Sequence, residues 1–107
     1  MPSQESQKEF DLSIKVPKQY SYISVILTSP IELYTSAYEQ GFKEALENYK
    51  YKEKMEPTNM NGGGETISGH HDGFMNALAQ LRNFEKEMSE KEIRDLIESY
   101  IGEEAYM

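Results

Sequence analysis

Leu12, Ile14 and Val16 alternate with Ser13 and Lys15, a period of two that predicts a half-buried strand. Pro17-Lys18-Gln19 breaks the alternation. Residues 20–28 then bring Tyr22, Ile23, Val25 and Ile26, types that favour pleated backbone. Together the two runs predict an N-terminal β-hairpin. Two strands alone are marginal in water, so the hairpin is expected to pack on helices.

The period changes at Ser29-Pro30-Ile31-Glu32. A hydroxyl at the cap, proline at the first helical position and glutamate three residues after the cap together mark a helix start. Tyr34, Ala37, Tyr38, Gly41, Phe42, Ala45, Leu46 and Tyr49 keep helical spacing, and Lys50, Lys52 and Lys54 follow where positive charge suits a helix C-terminus. A first helix is predicted over about residues 30–53. Residues 55–71 hold Pro57, Asn59, Asn61, Gly62-Gly63-Gly64 and Gly69, a composition of high backbone entropy that predicts a mobile loop. Asp72 is the expected cap of a second helix carrying Phe74, Ala77, Leu78, Leu81 and Phe84. Ser89-Glu90-Lys91-Glu92 is a capping box opening a third. There Ile93, Leu96, Ile97, Tyr100 and Ile101 line one face until Gly102. Residues 1–10 are polar and aperiodic and predict a flexible tail.

The expected fold class is α+β: a two-stranded hairpin packed against three helices, mostly helical, in a single domain over residues 11–107. One internal echo adds to this. Gly41-Phe42-x-x-Ala45-Leu46 recurs as Gly73-Phe74-x-x-Ala77-Leu78, 32 residues later. Glycine and the alanine four residues on share one helix face. That makes a flat seam where a second helix can come close. A mid-helix glycine costs about 1 kcal/mol relative to alanine, so Gly41 implies tight packing to offset it.

Composition narrows the function. Only 37% of the 107 residues are hydrophobic, Trp is absent, and there are eight Tyr, so the core is thin and a homodimer sharing the Gly/Ala seams is expected. The absence of cysteine removes disulfides and thiolate chemistry and favours a reducing, cytoplasmic setting. No apolar run approaches the roughly 20 residues of a bilayer span, so no membrane role is expected. A net charge of −8 disfavours direct nucleic-acid binding, which draws on Lys and Arg.

Candidate chemistry is sparse. His70-His71-Asp72 has metal-ligand residue types, but neighbouring residues diverge and the metalloprotease pattern spaces its histidines four apart. His70 and His71 are weak metal candidates, and no metal or cofactor is expected. Gly62, Gly63, Gly64 and Glu65 resemble a phosphate-cradling loop only in glycine content, since no lysine follows. No nucleophile elbow is present, so the chain is not expected to be an enzyme. Residues 85–104 carry eight acidic against three basic side chains.

The leading expectation is a small acidic protein occupying a basic surface of a macromolecular partner. Glu87, Glu90, Asp95, Glu98, Tyr34 and Tyr51 are its candidate contacts. Small size, acidity and lack of cysteine are shared with phage-encoded inhibitors of bacterial nucleic-acid machinery, a similarity of type alone. The alternatives are an oligomeric nucleotide or anion binder using the glycine loop with His70-His71, and an adaptor subunit of a larger complex.

Overall fold

Three glycines decide how this chain packs. The computed structural model describes residues 8–16, 30–59 and 62–105, in which α1 spans Pro30–Lys50, α2 spans Gly64–Phe84 and α3 spans Glu90–Ala105. A Cβ built on Gly41 would lie 2.8 Å from the His70 carbonyl carbon. One on Gly73 would lie 2.7 Å from that of Tyr38, and one on Gly69 3.1 Å from that of Tyr34. Each would meet the carbonyl oxygen closer still. Backbone therefore touches backbone along the α1–α2 seam, which no side chain at these positions permits. Adding the 32-residue offset of the sequence echo to Tyr38 and Gly41 gives His70 and Gly73, so the two closest contacts exchange with each other. The seam is locally pseudo-symmetric.

The helices run parallel. Tyr34 lies against Gly69 and Asp72, Tyr38 against Gly73 and Asn76, and Tyr49 against Glu85. A parallel pair cannot be joined by a short turn, because the chain must return the length of a helix, about 30 Å for 21 residues. Residues 51–63 make that return, with a maximum reach of about 43 Å. The turn out of α1 is a Schellman motif. Glu53 N–H donates to Asn48 C=O at 2.7 Å and Lys52 N–H to Tyr49 C=O at 3.2 Å, with Lys52 left-handed at φ 59°. The Asn48 side chain then donates to Lys54 C=O at 3.0 Å.

α3 packs antiparallel to α1: Tyr100 lies on Phe42 with ring centroids 5.9 Å apart, and farther back along α3 Glu90 reaches Lys52 at 3.9 Å. Its start is the predicted capping box. Glu92 N–H donates to Ser89 Oγ at 3.2 Å, and Ser89 N–H donates to Glu92 Oε1 at 2.8 Å. Phe42, Leu46, Phe74, Ala77, Leu81, Ile93 and Ile97 form the buried centre, closed by Phe10 from the N-terminal segment.

Several expectations are corrected. No strand occurs among the described residues, so the α+β class with its hairpin gives way to a helical protein. Leu12, Ile14 and Val16 are half-buried and residues 11, 13 and 15 exposed, so the alternation read burial correctly. The backbone, however, is held by side chains: Asp11 N–H donates to Gln80 Oε1 at 2.8 Å, and Gln80 Nε2 donates to Asp11 C=O at 2.6 Å. The other expected strand, residues 20–28, and the Ser29 cap lie outside the described residues. α2 begins at Gly64 rather than Asp72, so residues 64–71 of the expected mobile loop are helix. Phe10, placed in the tail by sequence, is buried. α3 runs through Gly102 to Ala105.

Gly73→Ala is expected to destabilise the protein by about 3 kcal/mol, since a backbone carbonyl cannot give way as a side chain can. Gly64→Ala, whose added methyl meets nothing within 4 Å, should be neutral or stabilising by up to about 1 kcal/mol. Urea unfolding of both variants checks the contrast.

Candidate functional site

The acidic candidates are displayed outward, each with a cation of the same chain. Glu87, in the turn before α3, pairs with Lys8. Glu90 pairs with Arg94 at 2.9 Å, Asp95 with Lys91 at 3.1 Å, and Glu98 with Lys50. The carboxylate side chains are 53–69% exposed. Pairs of this kind are worth about 0–1 kcal/mol and are screened by salt, so a partner's cations can replace them. The Glu98 carboxylate, by hydrogen bonding, raises the pKa of Lys50 above its usual value.

The two tyrosines part company. Tyr51 is 63% exposed, with Lys50 Nζ 5.2 Å from its ring centroid. Tyr34, expected at the surface, is 2% exposed. It lies on the α1–α2 seam and its hydroxyl donates to Asp72 Oδ2 at 2.5 Å. Helical spacing placed it on the apolar stripe, and the glycine contact at Gly69 closes over it.

The histidines diverge as neighbours on one helix must. His71 is exposed, its Nδ1 3.7 Å from Asp72 Oδ1. His70 is 4% exposed, and its Nε2 lies 2.7 Å from Glu44 Oε1. The other oxygen of Glu44 accepts from Thr58 N–H at 3.1 Å and Thr58 Oγ at 2.5 Å. One carboxylate thus ties α1, α2 and the returning segment together. Glu44 was not legible as the partner of His70, nor Thr58 as a partner of Glu44, because nothing in their spacing announces a contact made by a parallel crossover. Among the described residues no group of three His, Asp or Glu is arranged to hold a metal ion. Gly62 has φ 135°, Gly63 is the N-cap of α2 and Gly64 its first residue, with Glu65 in its first turn. The glycines therefore launch a helix, and Glu65 complements its dipole.

A groove of about 500 Å³ lies between the N-terminal segment, α1 and α2, lined by Asp11, Ser13, Lys15, Tyr34, Tyr38, Asp72, Met75 and Asn76. Hydrogen bonds from the Ser13 hydroxyl and amide hold Asp11 below the usual carboxylate range. Burial raises the Tyr38 phenol, whose oxygen accepts from Asn76 Nδ2 at 2.7 Å. Its lining is of mixed character, with Asp11, Asp72 and Lys15 beside Tyr34, Tyr38 and Met75.

Comparison of the chain with protein-family models, with curated proteins and with solved structures gives no match. No helix among the described residues is long and apolar enough to cross a membrane.

Glu44→Ala should destabilise the fold by about 1–3 kcal/mol, because His70 loses its acceptor in a buried position. Glu44→Gln, which keeps an acceptor, should cost less. Denaturant midpoints separate the two. Burial, followed by the hydrogen bond to Glu85 and its charge, raises Tyr49 from 10.0 to about 12. A folded pKa above the unfolded one means the stabilisation is complete below pH 10 and is lost as pH rises towards about 12. The alkaline fall in stability over that interval should be shallower in Tyr49→Phe, as read from thermal midpoints across the range.

Proposed function

We propose that this chain is a non-enzymatic binding protein that docks its acidic α3 face on a basic surface of a macromolecular partner. The observation that carries this reading is the exposed display of Glu87, Glu90, Asp95 and Glu98 on and before one helix, in a chain of net charge −8. Those carboxylates are held only by exchangeable surface pairs, so their negative potential is available to a partner bearing Lys and Arg. Tyr51 adds an exposed aromatic ring beside Lys50, near the end of α1. Aromatic side chains of this kind supply contact area at interfaces.

Charge-steered docking has a kinetic signature, an association rate that falls steeply with ionic strength. A partner captured on the immobilised chain should therefore bind with a rate that drops about tenfold or more between low and physiological salt. The double variant Glu87→Lys, Asp95→Lys should lose binding while keeping its helical circular dichroism. A captured partner indifferent to both salt and charge reversal would sink the reading.

A further inference from the structure

The N-terminal segment sits in its cleft the way a peptide sits in a receptor. Among the described residues, Phe10 is the one buried side chain that does not come from a helix. Its ring meets Phe84 at 5.3 Å, Tyr100 at 5.6 Å and Phe42 at 6.1 Å between centroids, each close to edge-on, at 75°, 79° and 87°. This is the favoured arrangement for aromatic groups, and it makes a three-walled socket for one phenyl ring.

Next to the socket, the Gln80 side-chain amide grips both backbone groups of Asp11. Asn76 Nδ2 approaches the same carbonyl at 3.4 Å, and Asn76 Oδ1 accepts from Gln80 Nε2 at 3.2 Å, fixing the amide's orientation. These contacts read main chain, so any non-proline residue satisfies them. On the other side Lys8, two positions before the phenylalanine, pairs with Glu87. The segment has no strand ladder, and its other described side chains are half-buried or exposed. Leu12, Ile14 and Val16 pack half-buried against the core, so release of the segment is a local opening that costs less than global unfolding without being free.

We infer that this cleft is a receptor for an extended segment of a partner chain with a basic residue two positions before a phenylalanine, and that residues 8–11 occupy it in the partner's absence. The cation goes to Glu87, the ring enters the socket, and the backbone of the next residue is clamped by Gln80. The inference rests on the proposed acidic docking reading for its basic residue and deepens it by naming what the partner presents. Recognition by an aromatic anchor plus main-chain hydrogen bonds is a general mode for extended peptides.

The test uses the full chain with Phe10→Ala, which vacates the socket, and a labelled synthetic peptide of residues 8–16 followed by fluorescence anisotropy. The variant should bind the peptide about tenfold or more tightly than the wild-type chain, where the resident segment competes. A peptide with its phenylalanine replaced by alanine should bind neither. Equal binding of the two peptides overturns the receptor while leaving charge-driven docking intact. No binding of either by a folded variant overturns the receptor alone, since charge reversal on α3 judges the other reading separately. If Phe10→Ala does not fold, hydrogen exchange on the wild-type chain decides. An Asp11 amide exchanging at least about tenfold faster than the amides of α1 supports a segment that leaves, and one exchanging only with α1 overturns it.

Discussion

Backbone contact between α1 and α2 governs the rest of this structure. Carbonyl groups of Tyr34, Tyr38 and His70 occupy the space that side chains at Gly69, Gly73 and Gly41 would need. At that separation the flanking Phe42, Phe74, Leu46 and Leu81 reach the common centre and are sealed from water. The same closeness buries His70, which obliges the chain to supply an acceptor, and Glu44 does so from the facing helix. Burying a polar group without a partner costs about 1–3 kcal/mol, so the glycine seam and the His–Glu pair form one design.

Charge is then distributed by what the interior cannot hold. The inner face of α3 gives Ile93 and Ile97 to the core, and its carboxylates face outward with a cation of the chain beside each candidate. Local pairing lets an acidic helix fold without strong self-repulsion. It also leaves a surface whose pairs trade readily for a partner's.

Much of this was legible in the sequence, and the failures have physical causes. The helical stripe from Tyr34 to Tyr49, the capping box at Ser89 and the seam at Gly41 and Gly73 could be read because their determinants are local or periodic. Gly62 to Gly69 misled. Glycine density signals a loop unless a neighbouring backbone needs the space, and only the assembled pair shows that need at Gly69. Alternation at Leu12, Ile14 and Val16 located the buried positions yet named the wrong hydrogen-bond partner, since Gln80 and Asn76 perform the job a second strand was expected to do. Of the candidate contacts, Glu87, Glu90, Asp95, Glu98 and Tyr51 are at the surface, where sequence placed them. Tyr34 is not, because its position on the stripe outweighed its hydroxyl. The Glu44–His70–Thr58 cluster joins three separate stretches of chain and could not have been assembled from any one of them.

The crossover between parallel helices also shapes how the molecule must form. In a hairpin of antiparallel helices the earliest contacts lie near the turn and the rest zip up from there. Here every seam contact joins residues some thirty positions apart, so ring closure of the whole connecting stretch has to come before any of them rewards the chain. Loop entropy is spent first, and topology of this kind slows the search for the native arrangement. The bonds from Asn48 to Lys54 and from Thr58 to Glu44 shorten that search by laying the returning chain along α1, which turns a passive connector into a guide for docking the second helix.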